Sequence, residues 1–186
     1  MQARKQKTIL FAIIAGLGII MVVAVAWRYI RANKFLEYRH PDWNFTMVYP
    51  ANWLRMENAH DVDVIFYSPK ENPLDFFQEN VNITVENIPE GVNTIEEYTE
   101  RLLKEMHMTF GKYFELLESE EIFWGGQMGH KIVYLGKGID IEFKLMHYFI
   151  LVGDKAYQFT YGGIPNKFDK YLPKAEKMAD SFVLGP

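Results

Sequence analysis

The stretch IDIEFKLMHYFIL, residues 139–151, carries the clearest strand pattern in the chain. Apolar side chains fall on one face of this stretch, together with His147, and the opposite face begins with Asp140, Glu142 and Lys144. Successive side chains of a strand point to opposite faces of a sheet. The alternation therefore predicts a long β-strand, with these apolar residues on one face: Ile139, Ile141, Phe143, Leu145, Phe149 and Leu151.

Other strands are predicted on both sides of this stretch by period-two alternation bounded by Gly or Pro. The segment after it, residues 155–161, is separated from it by Gly153-Asp154, and Gly136-Lys137-Gly138 predicts a tight turn before it. Residues 35–42 are interpreted as a short linker. The remaining predicted strands cover residues 45–49, 62–66, 81–85, 114–124 and 130–135.

Two helices are predicted. Thr94 and Glu97 have the spacing of a capping box, and apolar residues at helical spacing follow as far as Phe110, before Gly111. A second apolar stripe runs over residues 168–182 and contains Pro173, which predicts either a short turn before a helix that starts near Pro173 or a kinked helix. Strands, helix, strands and helix in this order favour an α+β fold, in which helices flank an antiparallel sheet.

The N-terminal part of the chain carries a membrane signal. Residues 8–26, TILFAIIAGLGIIMVVAVA, contain no charge, and a helix needs roughly 20 apolar residues to cross a bilayer. A cleaved signal peptide is the competing interpretation, because Ala24-Val25-Ala26 fits a cleavage site. The length of the run and the bulky Trp27 after it favour an uncleaved anchor. The predicted domains are therefore a basic flank with one transmembrane helix in residues 1–35, and a soluble domain in residues 36–186.

Charge is divided unevenly between these two parts. Residues 1–35 hold six basic and no acidic side chains, which leaves 14 basic and 24 acidic side chains in residues 36–186, a formal net charge of −10. A domain this acidic is a poor match for nucleic acid, whose phosphates need clustered Lys and Arg. Basic residues flank the apolar run on both sides, but a short basic tail usually stays in the cytoplasm. This places the large domain on the extracytoplasmic side, which is periplasmic, lumenal or at the cell surface.

Few residues suggest chemistry. The chain has no cysteine, which excludes disulfides, thiol nucleophiles and cysteine-ligated metals. The three serines lie outside any nucleophile-elbow motif, and the five histidines lack close metal-ligand spacing, although His130 and His147 could face each other on neighbouring strands. Glu115, Glu118, Glu120 and Glu121 are interpreted as a solvated strand edge, with a site for a cation or basic partner as the alternative. No catalytic, cofactor-binding or metal-binding residue is predicted.

Several segments in order resemble one known family. They are HPDWNFTMVYPANW (40–53), NVNITVENIP (80–89), TIEEYTERLLKEM (94–106), GGQMGHKIVYLG (125–136), KAYQFTYGG (155–163) and FDKYLPKAEKMADSFVL (168–184). Together they resemble the PsbP-like family, over most of residues 38–184. The family is named after an extrinsic photosystem II protein and is widespread among membrane-anchored bacterial proteins. The resemblance implies a three-layer α/β/α sandwich around an antiparallel sheet, and a binding or assembly role instead of catalysis.

We therefore expect a membrane-anchored extracytoplasmic binding module that docks on or stabilises a membrane protein complex, and that contacts the lipid bilayer through its N-terminal helix. A module of the same fold that binds a small ligand or a lipid is the alternative. A hydrolase is the weakest hypothesis, and no cofactor is expected.

Overall fold

The computed structural model describes residues 17–30, 33–138 and 141–185. By its internal contacts the chain divides into two units. One contains the N-terminal residues to Phe35 together with Pro50–Asn52, and the other contains Leu36–Tyr49 and Trp53–Pro186.

In the first unit, residues 17–30 are helical and their side chains are exposed. The predicted anchor, residues 8–26, overlaps this helix only from residue 17, and residues 8–16 lie outside the described part of the chain. Within the described ranges, none of the helices combines the length and the apolar character needed to cross a membrane.

Apart from Phe35 and Pro50, ten strands lie in the described part of the second unit, with two helices between them. The strands are β1 (Phe35–Arg39, which starts at the boundary between the units), β2 (Phe45–Pro50), β3 (Leu54–Ala59), β4 (Val62–Tyr67), β5 (Asn80–Asn87), β6 (Glu115–Trp124), β7 (Gln127–Lys137), β8 (Glu142–Val152), β9 (Lys155–Gly163) and β10 (Val183–Leu184). The helices are α1 (Ile95–Phe110), which a 3-10 turn at Gly111–Tyr113 follows, and α2 (Pro165–Asp180).

Seven strands form one sheet in the order β3-β4-β5-β9-β8-β7-β6, and all of its pairings are antiparallel. A second sheet has the order β1-β2-β10. Consecutive strands are mostly neighbours because hairpin turns connect antiparallel strands directly. The crossover from β5 to β6 contains α1, and β9 fills the place between β5 and β8.

The two helices cover opposite faces of the large sheet. Tyr98 and Leu102 of α1 pack in one core with Ile132, Tyr134, Phe149 and Ala156. On the other face, the ring of Phe168 in α2 lies 4.6 Å from that of Tyr161. Side chains alternate along β9, so Ala156 and Tyr161 point to opposite sides. The observed layers are those of the predicted α/β/α sandwich.

Pro173 lies inside α2, which begins eight residues earlier at Pro165. The helix is continuous through Pro173, so the prediction of a separate turn before a helix starting there is wrong. Pro fits at the first turn of a helix, where its missing N–H costs nothing. Inside the helix, Pro173 removes one backbone hydrogen bond, and the packing of Phe168, Tyr171 and Met178 against the sheet offsets this loss.

Three strands were not predicted. The interpretation of residues 35–42 as a linker is wrong, because Phe35–Arg39 forms β1 and buries Tyr38. β3 was missed because nearly all its side chains are exposed, so it has no apolar alternation. β10 has only two residues, Val183 and Leu184, which pair with β2. Pairing with a neighbouring strand, and not local sequence, determines all three.

Candidate interaction surface

The tip of the β6–β7 hairpin exposes two large apolar side chains. Phe123 and Met128 lie opposite each other in the β6–β7 register, so they share one face of the sheet. Phe123 is 73% exposed and Met128 is 60% exposed. An exposed apolar pair on a rigid hairpin is typical of a contact surface, since soluble domains bury most large apolar side chains. We call Phe123, Met128 and the adjoining groove the hairpin surface.

A groove of about 490 Å³ lies at the same hairpin tip, mainly on the opposite face of the sheet from this pair, and Phe123 forms part of its rim. It is lined by Ile122, Phe123, Trp124, Gly125, Gly126, Tyr148, Asp180 and Phe182. Trp124 stacks on Phe182 with ring centroids 4.3 Å apart, and its indole N–H donates to the carbonyl oxygen of Ala179 at 2.8 Å. These contacts fix the aromatic wall of the groove, so its shape exists before any partner binds.

The four glutamates of the predicted acidic stretch lie on β6, an edge strand of the large sheet. The Lys131 ammonium lies 2.9 Å from the Glu118 carboxylate and 3.0 Å from the Glu120 carboxylate. These two contacts raise the pKa of Lys131 in spite of its partial burial. Glu121 lies opposite His130, on the other face. The stretch is therefore an edge whose charges are divided between two faces, and it flanks the hairpin surface with acidic groups.

His130 and His147 do share a face, but they are diagonal neighbours. His130 pairs with Phe149, and His147 pairs with Ile132 on the adjacent strand. The ring of Phe149 lies 5.8 Å from that of His130 and 5.4 Å from that of His147, on centroids. Among the described residues, no group of three or more His, Asp or Glu side chains could hold a metal ion.

His130 has a partner that the sequence did not indicate. Its Nε2 atom lies 2.8 Å from the hydroxyl oxygen of Ser119, eleven residues away on β6. Partial burial lowers the pKa of His130, and the carboxylates of Glu121 and Glu96 act in the opposite direction. Strand pairing brings Ser119 and His130 together. The residues next to them in the sequence do not predict the β6–β7 register, so this contact could not be predicted either. The Ser119 side chain is exposed on β6, an edge strand of the large sheet.

The other histidines have local roles. Nδ1 of buried His40 accepts hydrogen bonds from the backbone N–H groups of Asp42 and Trp43, which fixes the turn between β1 and β2. His60 lies in the β3–β4 turn with a positive φ of 56°. His107 lies in the last turn of α1.

Several large aromatic side chains are buried in the core. Trp53, Trp124, Phe159 and Tyr161 are in the core, and Trp124 also lines the groove. Trp43 is half-buried, and its indole N–H donates to the Asp63 carboxylate at 2.6 Å.

Comparison with known proteins identifies the fold. The model of the PsbP family matches residues 33–184. No curated protein sequence matches the chain significantly. Among solved structures, the chain is similar to cyanobacterial PsbP from Synechocystis sp. PCC 6803, with 18% identity, a TM-score of 0.60, and coverage of 81% of this chain and 92% of that one.

Two further solved structures have the same fold. LpqN of Mycobacterium tuberculosis, described as involved in cell envelope biogenesis, has 10% identity, a TM-score of 0.60, and coverage of 85% of this chain and 95% of that one. The Ran-binding protein Mog1p of Saccharomyces cerevisiae has 9% identity, a TM-score of 0.57, and coverage of 81% and 95%. At these identities the likeness concerns the fold.

Proposed function

The chain belongs to the PsbP family, and we propose that it is a membrane-anchored, extracytoplasmic binding module that docks on a membrane protein complex. The observation that carries this proposal is the hairpin surface. The hairpin tip has an exposed apolar pair on one face, an aromatic groove on the other face and an acidic strand edge between them, an arrangement suited to a protein partner that contacts both faces of the tip. Relatives of this fold also support a binding role, since Mog1p is described as a Ran-binding protein.

The anchoring part of the proposal rests on residues 8–26. An uncharged run of this length can span a bilayer, and its basic flank favours a cytoplasmic N-terminus. Anchoring confines the domain to the membrane surface, which raises its effective concentration near membrane partners. The proposal contains no catalytic step and no cofactor.

The partner surface should be apolar at its centre and basic at its rim. Glu118, Glu120 and Glu121 flank the hairpin surface within a domain of formal net charge −10. Complementary charge accelerates encounter, and salt screens it over about 8 Å at physiological ionic strength. Docking should therefore weaken as salt is raised.

The test is affinity purification of the full-length protein from detergent-solubilised native membranes across a salt series. A membrane protein should co-purify at low salt, and a Phe123→Ser/Met128→Ser variant should lose it. Leu54→Ser is the matched control, because Leu54 is an exposed apolar residue on β3, at the far edge of the sheet. If no membrane protein is retained at low salt, or if both variants retain it equally, docking through this surface is wrong.

Anchoring and orientation can be tested separately. The chain lacks cysteine, so Asp154→Cys in the β8–β9 turn provides a single thiol. A membrane-impermeant thiol reagent should label it in intact cells, and N-terminal sequencing should find residues 8–26 retained. A mature chain that starts at Trp27, or labelling only after lysis, would contradict the proposal.

A second candidate function is binding of a small apolar ligand. The groove of about 490 Å³ lies within the size range of small-molecule sites, and aromatic rings form much of its wall. A ligand there should quench or shift the fluorescence of Trp124, and Trp124→Phe should abolish that response. Saturable binding that leaves the docking partner unaffected would favour this function over the first.

A further inference from the structure

The loop between β4 and β5, residues 68–79, buries the acidic side chains of Asp75 and Glu79 and exposes the apolar side chains of Leu74 and Phe76. Phe76 is 91% exposed and Leu74 is 74% exposed, whereas Asp75 between them is buried. Water favours the reverse arrangement, because burying a carboxylate is costly and exposing large apolar side chains gains nothing. The loop therefore keeps the side chains of Leu74 and Phe76 exposed to solvent, although burying them would be more favourable.

Ion pairs to α2 maintain this inverted arrangement. The Lys167 ammonium lies 2.9 Å from the Asp75 carboxylate, and the Lys170 ammonium lies 2.8 Å from that of Glu71. The backbone N–H of Glu71 also donates to the Asp75 carboxylate at 3.1 Å. The hydrogen bond from Lys167 is the main cause of the lowered pKa of Asp75. Asp75 is thus held as a charged, buried anchor, which forces its two neighbours outward.

The base of the loop is fixed as well. The backbone N–H of Ser68 donates to the carbonyl oxygen of Glu79 at 2.8 Å, and the Ser68 hydroxyl donates to the Glu79 carboxylate at 3.2 Å. Phe77 packs on Phe143 with ring centroids 5.9 Å apart. Leu74 and Phe76 therefore project from a rigid support and need no ordering before they bind.

The loop lies at the end of the sheet where the chain enters the domain. The Tyr49 ring, near the end of β2, lies 4.8 Å from that of Phe66, near the end of β4. β1 and β2 are consecutive strands joined by a short turn, so β1 begins beside the end of β2. The β4–β5 loop follows β4 directly, so both features share one end of the domain.

We propose that Leu74 and Phe76 insert into the interfacial region of the lipid bilayer. The inference rests on the proposed anchoring through residues 8–26. Residues 27–34 separate that segment from β1, and eight extended residues reach at most about 28 Å. The end of the domain that carries the loop is thus the end tethered near the membrane.

A bilayer suits these two tips better than a shaped protein pocket. Projecting side chains need no complementary cavity in lipid, and weak insertion is sufficient for a domain that is already tethered. Charge supports this choice. The loop and the two α2 lysines it contacts carry three cations and three anions, so this region is locally neutral in an otherwise acidic domain: Lys70, Lys167 and Lys170 against Glu71, Asp75 and Glu79. Repulsion from anionic headgroups is therefore weaker here than the formal net charge of the domain implies.

The test uses the full-length chain in phosphatidylcholine vesicles, with one nitroxide on a single introduced cysteine. Labels at Leu74→Cys and Phe76→Cys are compared with a control at Asp154→Cys, at the opposite end of the sheet. Power saturation should show more contact with oxygen, and less with a water-soluble nickel complex, at positions 74 and 76 than at position 154. Adding Phe76→Ser to the Leu74→Cys variant should shift its label towards water. Raised salt should leave the insertion unchanged.

The possible outcomes are distinguishable. If the chain floats with the vesicles while the labels at 74 and 76 are as water-exposed as the label at 154, the loop inference is wrong and the anchor stands. If the chain does not float, the anchoring and the inference both fail. Spin–spin broadening at position 76 would identify a second copy as the occupant, and protection that arises only on adding a membrane extract would identify a protein. Either result overturns lipid insertion.

Discussion

His147 is a titratable side chain enclosed in the sheet. It is 4% exposed, and neither of its ring nitrogens has a hydrogen-bond partner among the described residues. Burial lowers its pKa from 6.5 to about 4, and the nearby Gln158 amide only partly opposes this shift. The folded protein therefore holds His147 as a neutral ring, whereas the unfolded chain protonates it near pH 6.5.

This difference predicts a specific pH dependence of stability. The contribution of neutral His147 is complete above about pH 6.5 and is lost as the pH falls towards 4, because the unfolded chain then binds the additional proton. The loss is at most about 3 kcal/mol, since each pKa unit corresponds to about 1.4 kcal/mol. Denaturant melts at a series of pH values should show a flatter profile for His147→Gln than for the wild type. Stability profiles that are parallel for the variant and the wild type would contradict the role of His147. The lowered pKa of His130 accounts for the smaller pH dependence that we expect to remain in the variant.

Two strand glycines differ sharply in the space around them. A Cβ added at Gly129 would lie 2.4 Å from the Phe149 carbonyl oxygen and 2.5 Å from a methyl group of Ile150. A Cβ added at Gly162 would have its nearest neighbour, Leu145, at an ordinary 3.9 Å. Both glycines are buried in the same sheet, so they form a matched pair.

We expect Gly129→Ala to destabilise the fold by about 2 kcal/mol, because the backbone of β8 would have to move to relieve the overlap. Gly162→Ala should be neutral or slightly stabilising, because Ala loses less conformational entropy than Gly on folding. Urea denaturation of both variants measures this difference. Equal stabilities would mean that the β7–β8 contact is looser than the structure shows.

At the scale of an element, α1 begins at a complete capping box. The backbone N–H of Glu97 donates to the Thr94 hydroxyl at 3.2 Å, and the backbone N–H of Thr94 donates to the Glu97 carboxylate at 3.3 Å. These bonds satisfy donors that have no partner inside the helix. Glu96 and Glu97 also place negative charge at the positive end of the helix dipole.

Thr94→Ala should therefore cost about 1 kcal/mol of stability. Thr109→Ala is the control, because the Thr109 hydroxyl donates only to the carbonyl oxygen of Glu105 within the same helix. That change should be nearly neutral, since such a bond competes with the helix backbone. Thermal melts by circular dichroism compare the two, and a Thr94 variant as stable as the Thr109 variant would rule out a contribution from the cap.

At the scale of the whole molecule, the domain contains its own core. Both faces of the large sheet are covered by helices, and α1 and α2 each bury an apolar stripe against it. Roughly 150 residues are a common domain size and can bury enough surface to be stable.

A protein consisting of residues 36–186 should accordingly be soluble and should unfold in one cooperative transition. Fluorescence and circular dichroism followed through a urea titration should give coincident curves. Aggregation, or transitions that differ between the two probes, would show that the N-terminal residues are needed for folding.

Local amino-acid patterns were sufficient to locate the regular elements with strong periodicity. The capping box and apolar spacing predicted α1 from Ile95 to Phe110 as observed, and alternation located the strands that became β2, β4, β5 and β6 to β9. An antiparallel sheet covered by helices followed because amphipathic helices must bury their apolar stripes against a sheet, and the resemblance to the PsbP-like family implied the three layers. Such patterns are local consequences of side-chain direction, so they can be predicted without knowing the partners of each element.

Which residues contact each other depends on how the strands and helices pair in the folded domain. β8 is a central strand covered on both faces, so Met146 and Ile150 are as buried as Phe149, although Asp140, Glu142 and Lys144 had suggested a polar second face. The exposed strand β3 and the two-residue strand β10 exist only through pairing. Register joined Ser119 to His130 and Phe123 to Met128 across one hairpin.

The β4–β5 loop is the clearest example of an arrangement that local sequence patterns do not predict. Its sequence has Asp75 between Leu74 and Phe76, and composition alone would bury the apolar residues and expose the acid. Lys167, 92 residues away, reverses that arrangement by pairing with Asp75. A charge is buried only where a distant partner compensates for its lost hydration, and the position of that partner is a property of the fold.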